Sequence, residues 1–399
     1  MSTADFWLLP EGIEDMLPPA ARHLERLRRD LLDLYESWGY QLVIPPLVEF
    51  LESLLTGVGK DLDLQTFKLI DQLSGRLMGV RADMTPQVAR IDAHYFSKQD
   101  IPTRFCYMGT VLHTRSPGVG NSRSPFQVGA ELYGHGGYES DLEVLLLMLE
   151  TLTVAGVTNV HLDLGHVGIF RNLARQTGLN PPQEEAIFEA LQRKALPEID
   201  ELLTDYALPA ELRELFLALA ELNGGEEVLQ TAENSLAAAD EEVWQALEAL
   251  HQTAAAIQHR LPELPIHFDL AELRGYRYHT GLVFAAYAPG HGQALAQGGR
   301  YDGIVRAFKR SRPATGFSAH LDTLLALAAP RPAPAKAIYA PEADDPALEA
   351  LVNELRSQRE RVIRALPGAD PGPKALGCNR MLVTQDDSWV VAPVEGCNG

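Results

Sequence analysis

At 399 residues, the chain is longer than the roughly 250–300 residues at which one hydrophobic core usually stops growing, so we expect more than one folded unit. Apolar residues make up 46% and charged residues 22%, which argues against wholesale disorder. The 34 Lys and Arg against 54 Asp and Glu give a net charge of −20, and so negative a surface disfavours binding to nucleic acid.

The first 165 residues predict helices and strands in turn. Leucines at helical spacing among charged residues indicate an amphipathic helix over 20–38, which Gly39 ends. The apolar stretch over 140–155 is too long for a strand and indicates a buried helix. Strands are predicted over 40–46, 77–81, 104–113, 126–134 and 160–164.

The rest of the chain changes character twice. Ala, Leu, Glu and Gln dominate from about residue 169 to 262, which predicts a helical insertion. A Pro-rich linker begins at about residue 330. Between the insertion and the linker we predict strands over 266–270 and 278–287, a turn at Gly298-Gly299, a short helix and a closing helix over 316–328. After the linker we predict a helix over 346–366 and a hairpin around 383–392.

Non-consecutive strands with a helical insertion before the last of them indicate an antiparallel sheet flanked by helices, in the α+β class. We therefore predict a core over residues 1–329, which includes the insertion. A linker and a reduced C-terminal segment would occupy residues 330–399.

Six segments, spread over about 320 residues, resemble the core of histidyl-tRNA synthetase, a class II aminoacyl-tRNA synthetase. Each segment is weak by itself, but all six follow the family's order at compatible spacing. The resemblance implies the class II synthetase fold. The segments are 9–18, 39–46 (the first class II motif, which forms the dimer interface in the family), 81–85, 127–131, 274–280 and 298–303.

Two departures from this family concern catalysis. Synthesis of an aminoacyl-adenylate develops negative charge on phosphate oxygens, which class II enzymes stabilise with two arginines. At the positions of those arginines this chain has His113 and Thr323. Because one lost donor costs on the order of 10²–10³ in rate, we expect negligible adenylate synthesis. Alternatively, Arg115 replaces the first arginine from the same face of a strand, which would not restore the second.

The resemblance implies that an amino-acid pocket is retained. A free amino acid requires an acid for its ammonium group and a cation for its carboxylate, and histidine adds hydrogen bonds around its imidazole. We therefore predict no catalytic residues, but a histidine-binding set. Its members are Asp83, Thr85, Gln127, Glu131, Arg274, Tyr278 and His279.

Within this set, Glu131 with Asp83 and Thr85 would hold the ammonium group, and Arg274 with Gln127 would hold the carboxylate. The remaining two members would lie near the imidazole. Ordinary structural roles are the alternative for several of them, because an Asp before a helix often caps it and an Arg often forms a surface ion pair.

Two of these positions differ from the family. Asp83 is shorter than the family's Glu, and His279 replaces a family Tyr, so the contacts around the imidazole are expected to differ.

A synthetase-like chain with this pocket, but without the arginines and with only a short C-terminal segment, resembles the regulatory subunits of ATP phosphoribosyltransferase. In that family the chain joins a short-form catalytic subunit in a hetero-octamer that carries out the first step of histidine biosynthesis, the condensation of ATP with phosphoribosyl pyrophosphate. Histidine inhibits the complex. The resemblance implies a non-catalytic regulator, with histidine as effector and self-association through the first-motif region.

Two other classes of function stay open. One is a divergent histidyl-tRNA synthetase or an aminoacyl ligase, and the other is a stand-alone histidine sensor or an RNA-binding module.

Further expectations concern cofactors and location. The twelve histidines and three cysteines show no metal-ligand spacing, so no metal or other cofactor is expected. The N-terminal segment does not resemble a signal peptide, and no apolar run approaches the roughly 18 residues of a membrane span. We predict a cytoplasmic protein that binds neither membrane nor nucleic acid.

Overall fold

In this computed structural model, the chain divides into two compact units, Met1–Ala329 and Pro330–Gly399. The structure describes residues 7–57, 60–96, 98–99, 101–116, 122–271, 275, 278–303, 308, 312–328 and 336–395.

A nine-stranded sheet organises the first unit, in the order β1-β5-β6-β12-β11-β10-β7-β9-β8, and β2-β4-β3 form a separate small sheet. Six neighbouring pairs of the large sheet are antiparallel and two, β1·β5 and β7·β9, are parallel. The strands are β1 (Gln41–Leu42), β2 (Val48–Phe50), β3 (Phe67–Ile70), β4 (Leu77–Val80), β5 (Thr103–Thr110), β6 (Phe126–Tyr133), β7 (His161–His166), β8 (Asn223–Gly224), β9 (Ile266–Asp269), β10 (Leu282–Tyr287), β11 (Ala296–Arg300) and β12 (Ala314–His320).

Helices cover the large sheet and form the insertion. The amphipathic α1 turns Leu27, Leu31 and Tyr35 into the core, and α5 is buried along most of its length and ends at Gly156 in the left-handed conformation. The helices of the first unit are α1 (Ala20–Ser37), α2 (Leu51–Leu54), α3 (Lys60–Gln65), α4 (Thr85–Tyr95), α5 (Tyr138–Ala155), α6 (Val167–Thr177), α7 (Pro181–Gln192), α8 (Leu196–Asp205), α9 (Ala210–Glu221), α10 (Glu227–Ser235), α11 (Glu241–Arg260) and α12 (Leu321–Leu327).

Two predictions near the end of the first unit are wrong. Gly298 and Gly299 lie inside β11 rather than in a turn, and 316–320 belongs to β12 rather than to a helix. A Cβ on Gly298 would overlap the carbonyl of Gly316 on the neighbouring strand and the ring of Phe284. These glycines therefore permit close strand packing. In the sequence alone, a Gly-Gly pair of this kind resembles a turn signal.

The second unit is a four-stranded sheet in the order β14-β13-β15-β16. Its strands are β13 (Ala337–Ala340), β14 (Val362–Arg364), β15 (Cys378–Gln385) and β16 (Ser388–Pro393), and its helices are α13 (Pro346–Ser357) and α14 (Gly372–Ala375). The predicted helix over 346–366 was too long, because the chain leaves α13 at Ser357 and β14 pairs in parallel with β13. β15 and β16 form a hairpin whose loop residues, Asp386 and Asp387, both have positive φ.

Candidate functional site

A cavity of about 250 Å³ opens on the large sheet, and five members of the predicted histidine-binding set line it. Ligand pockets usually measure about 300–1,000 Å³, so this cavity is small by comparison, and its volume suits a ligand of the size of an amino acid. The five predicted residues in its wall are Asp83, Thr85, Glu131, Tyr278 and His279.

Glu131 lies at the buried side of this cavity and is only 1% exposed. Its Oε1 accepts hydrogen bonds from the hydroxyls of Thr85, at 2.8 Å, and Tyr107, at 3.0 Å. Its Oε2 accepts one from the hydroxyl of Tyr301 at 2.5 Å. Burial raises the pKa of Glu131 to about 8, and the three hydroxyls oppose that shift because each stabilises the charged form. The site therefore has a buried carboxyl group that holds its proton more tightly than an ordinary glutamate.

Two glycines, one in β6 and one in the neighbouring β12, make room for this arrangement. Gly316 of β12 lies opposite Glu131, and a Cβ there would overlap the carboxyl group. A Cβ on Gly129 would overlap the hydroxyl of Tyr107. Strand pairing alone brings β5, β6 and β12 together. The space for the buried carboxyl and its partners exists because Gly129 and Gly316 have no side chains.

Gln127 supports the pocket from behind and does not line it. Its Nε2 donates to Asp83 Oδ1 at 2.8 Å, and its Oε1 accepts from the backbone N–H of Met84 at 3.0 Å. The same Asp83 oxygen accepts from the backbone N–H of Thr85 at 3.2 Å. Gln127 thereby fixes the segment that carries Asp83 and Thr85. Asp83 both lines the cavity and accepts a hydrogen bond at the start of α4.

Tyr278 and His279 also line the cavity. The Tyr278 ring packs on Tyr301 with 5.2 Å between centroids, and His279 Nδ1 lies 3.3 Å from the carbonyl oxygen of Arg300. Arg274, the predicted carboxylate partner, lies outside the described residues.

Two tyrosines that contact Glu131 were not predicted as site residues. Tyr301 belongs to the family hexapeptide 298–303, so membership of that motif was the available signal. Tyr107 had no signal beyond its place in a predicted strand. Asp163, Gln297 and Ser318 also line the cavity and were not predicted.

Arg300, which comes directly before Tyr301 in the hexapeptide, points away from the pocket. Arg300 is 8% exposed and donates to Asp141 Oδ2 at 3.1 Å, to Ser140 Oγ at 2.9 Å and to the carbonyl oxygens of His135 and Gly137. The guanidinium group therefore anchors the start of α5.

A much larger groove, of about 1,740 Å³, adjoins the cavity and shares Gln297 and Ser318 with it. Thr323 and the exposed Arg115 line this groove. His113 is buried, and its Nε2 lies 2.9 Å from the carbonyl oxygen of Ala82. The side chain that stands at the family's arginine position is thus engaged with the protein's own backbone.

Within the described residues, no group of three or more His, Cys, Asp or Glu side chains is placed to hold a metal ion. None of the helices described has the length and apolar character that crossing a membrane requires.

Comparison with known proteins identifies the family. A histidyl-tRNA synthetase family model matches residues 12–324, and a model of the ATP phosphoribosyltransferase subunit HisZ C-terminal domain matches residues 335–392. The ATP phosphoribosyltransferase regulatory subunit of Thioalkalivibrio sulfidiphilus is 59% identical over 393 residues, which cover 98% of this chain and 99% of that one. This chain belongs to the ATP phosphoribosyltransferase regulatory subunit family.

Other regulatory subunits and solved structures agree. The regulatory subunit of Alkalilimnicola ehrlichii is 57% identical, with 97% of each chain covered. The crystal structure of an ATP phosphoribosyltransferase regulatory subunit/histidyl-tRNA synthetase from Bacillus halodurans C gives a TM-score of 0.81 at 26% identity, covering 93% of this chain and 95% of that one. Histidyl-tRNA synthetase from Nostoc sp. shares the fold at a TM-score of 0.75 and 18% identity, with 97% of each chain covered. The predicted family and the class II synthetase-like fold are confirmed.

Proposed function

We propose that this chain is a non-catalytic regulatory subunit of ATP phosphoribosyltransferase that binds histidine in the cavity around Glu131. Together with a catalytic partner subunit it would subject the first step of histidine biosynthesis to feedback inhibition. The observation that carries the proposal is that predicted amino-acid-binding residues from three separate segments surround one cavity of amino-acid size.

The chemistry of the wall supports a histidine ligand. Glu131, Asp83 and Thr85 offer acceptors for an ammonium group, and Arg274 would supply the cation for the carboxylate. Tyr278 and His279 line the same cavity and would offer an imidazole aromatic and polar contacts.

Titration calorimetry with histidine tests the pocket. We expect Glu131→Ala and Arg274→Ala each to weaken binding by at least tenfold, because each leaves a charged group of the ligand without its partner. Arg213→Ala is a matched control, since Arg213 pairs with Asp200 at the surface of the insertion. Undiminished binding in both pocket variants would refute the assignment.

Inhibition would follow from linkage. Histidine shifts the complex only as far as it binds one conformation better than another. Mixing the chain with a short-form ATP phosphoribosyltransferase catalytic subunit tests the partner, and we expect a hetero-octamer, higher activity and inhibition by histidine. Failure to form any complex would rule this partner out.

Loss of aminoacylation is the second part of the proposal. It is supported by Thr323 in the groove and by the bond between His113 and the Ala82 carbonyl. The rival function, a divergent synthetase, has one observation in its favour, which is that Arg115 lines the groove. Histidine-dependent ATP–pyrophosphate exchange separates the two, because measurable exchange by the purified chain would establish the rival.

We further propose that residues 330–399 replace an anticodon-binding domain and that the chain does not recognise tRNA. Residues 336–395 carry seven Lys and Arg against ten Asp and Glu, a balance that repels phosphates. A filter-binding assay at low salt should detect no tRNA complex, and saturable binding would contradict this part.

Self-association through the first-motif region is the last part of the proposal. Ile44 is 80% exposed and Leu47 is 52% exposed, close to the short edge strand β1. Such apolar side chains at an edge are suited to contact with a second copy. Sedimentation of Ile44→Lys should show dissociation, whereas Leu73→Lys, at a residue that is 97% exposed elsewhere, should leave the assembly unchanged.

A further inference from the structure

The carboxyl group of Glu131 is buried without a cationic partner among the described residues that contact it. Hydroxyl groups reach it from β5 (Tyr107), from the start of α4 (Thr85) and from the residue after β11 (Tyr301). β12 contributes only the backbone of Gly316 at this point. The nearest other carboxyl, on Asp83, raises the pKa of Glu131 further.

Among the described residues, the other titratable groups around the cavity do not supply a fixed positive charge. They are Tyr278 and His279 from the loop before β10, Tyr133 from β6 and Asp163 from β7. Of the described groups, only hydroxyls contact Glu131 directly, and a buried anion without a fixed countercharge is unfavourable.

The hydroxyl of Tyr301 has two partners but only one proton. It lies 2.5 Å from Glu131 Oε2 and 3.2 Å from the hydroxyl of Tyr133. If Glu131 is ionised, Tyr301 donates to it and accepts from Tyr133. If Glu131 is protonated, it donates to Tyr301, which then donates to Tyr133. The chain of hydroxyls satisfies both states by rotation of two O–H bonds.

We propose that this pocket exchanges a proton for the ammonium group of its ligand. Glu131 holds a proton while the cavity is empty and releases it to solvent when the ammonium group arrives. The only covalent change is the loss of the O–H bond of Glu131, and the positive charge of the ligand replaces that of the proton. This inference rests on the proposed function, since it takes histidine as the ligand.

The direction of the pH dependence follows from the site. With its pKa raised to about 8, Glu131 is mostly protonated at pH 7, so binding there releases most of one proton. Affinity for histidine rises severalfold between pH 7 and pH 8, because the fraction of Glu131 whose proton must be displaced falls.

Calorimetry in two buffers of different ionisation enthalpy, phosphate and Tris, counts the protons. The imidazole of free histidine also titrates, with a pKa of about 6.5, so the informative number is the difference between wild type and Glu131→Gln. Gln keeps the shape of a protonated Glu and cannot release a proton. We expect wild type to release at least 0.5 proton more than the variant at pH 7, and Tyr339→Phe, at a Tyr–Asp pair in the second unit, to match wild type.

The outcomes separate the two proposals. If histidine gives no binding heat to wild type at any pH, the proposed function fails. If histidine binds wild type without releasing more protons than it does from Glu131→Gln, the exchange is overturned. Should Glu131→Gln fold poorly or bind too weakly, the pH dependence of wild type decides, because equal affinities at pH 7 and pH 8 would also overturn it.

Discussion

The pocket around Glu131 and the groove beside it share two wall residues, yet their side chains are used in opposite ways. In the pocket, acidic and hydroxyl groups from separate strands converge on an open space. At the groove, Arg123 turns back to the protein itself and donates to the carbonyl oxygens of Glu11 and His113. The side chain of His113, buried beside the groove, lies against the Ala82 carbonyl. Side chains that face an open space are available to bind a ligand. Side chains that already hydrogen-bond to the protein's own backbone are less available.

Removal of the guanidinium group behind the pocket should produce the largest effect. Arg300→Met leaves Asp141 buried without its partner, and we expect unfolding free energy to fall by about 3–5 kcal/mol, measured by urea denaturation. Arg193→Met, at an exposed ion pair with Glu198, should change it by less than about 1 kcal/mol. Equal losses in both variants would mean that Arg300 is not the anchor of α5.

A pH titration of stability probes the carboxyl at the pocket's buried side. The pKa of Glu131 is raised in the folded protein, so the folded state binds the proton more tightly than the unfolded state. Its contribution to stability is present below about pH 4.5 and is lost as pH rises to about 8. Chemical denaturation should show this decline in wild type and a flatter profile in Glu131→Gln. An equal slope in the two proteins would assign the decline to other groups.

Filling the space opposite Glu131 should abolish ligand binding. The Cβ of Gly316→Ala overlaps the carboxyl group, and we expect affinity for histidine to fall by more than 100-fold and stability by about 1–3 kcal/mol. Gly303→Ala is the matched control, because a Cβ there meets only ordinary contact with Thr280. Calorimetry and thermal unfolding measure both effects, and retained binding would show that this space is not used.

Loosening the support of Asp83 should have a smaller effect. Gln127→Leu removes the bonds to Asp83 and to the backbone of Met84, and we expect about tenfold weaker binding of histidine. Gln252→Leu removes a comparable bond to Glu248 on the exposed face of α11 and should leave affinity unchanged. A loss as large as that of Glu131→Ala would instead place Gln127 in direct contact with the ligand.

Changes in the groove should have the smallest effect on histidine binding. Thr323 lines the groove and not the cavity, so Thr323→Arg should keep affinity for histidine within about twofold. Calorimetry measures this. A larger change would show that the two spaces act as one site.

Periodicity was sufficient for the long helices, because α1 and α5 each bury a continuous set of apolar side chains that the spacing reveals. It failed for β11 and β12, where glycines serve close strand contact and resemble turn signals. It also extended α13 into β14, since Val362 and Ile363 are apolar in either structure and only strand pairing decides between them.

The motifs located most of the candidate site, but they did not reveal how its members act. Five of the seven predicted residues line one cavity, and their binding of histidine stays a prediction. Gln127 acts through Asp83, which depends on distances between β6 and the segment before α4. Tyr107 depends on the pairing of β5 with β6, and no local pattern encodes that pairing.

Arg300 and Tyr301 are neighbours in the sequence, yet one anchors a helix and the other contacts the pocket's carboxyl. Successive side chains of an extended chain point to opposite sides, so a single dipeptide carries two unrelated requirements. A saturation library sorted once for protein abundance and once for response to histidine should therefore split these two positions. Substitutions at position 300 would fail the first selection, whereas Tyr301→Phe, which keeps the buried ring and loses only the hydroxyl, would pass it and fail the second.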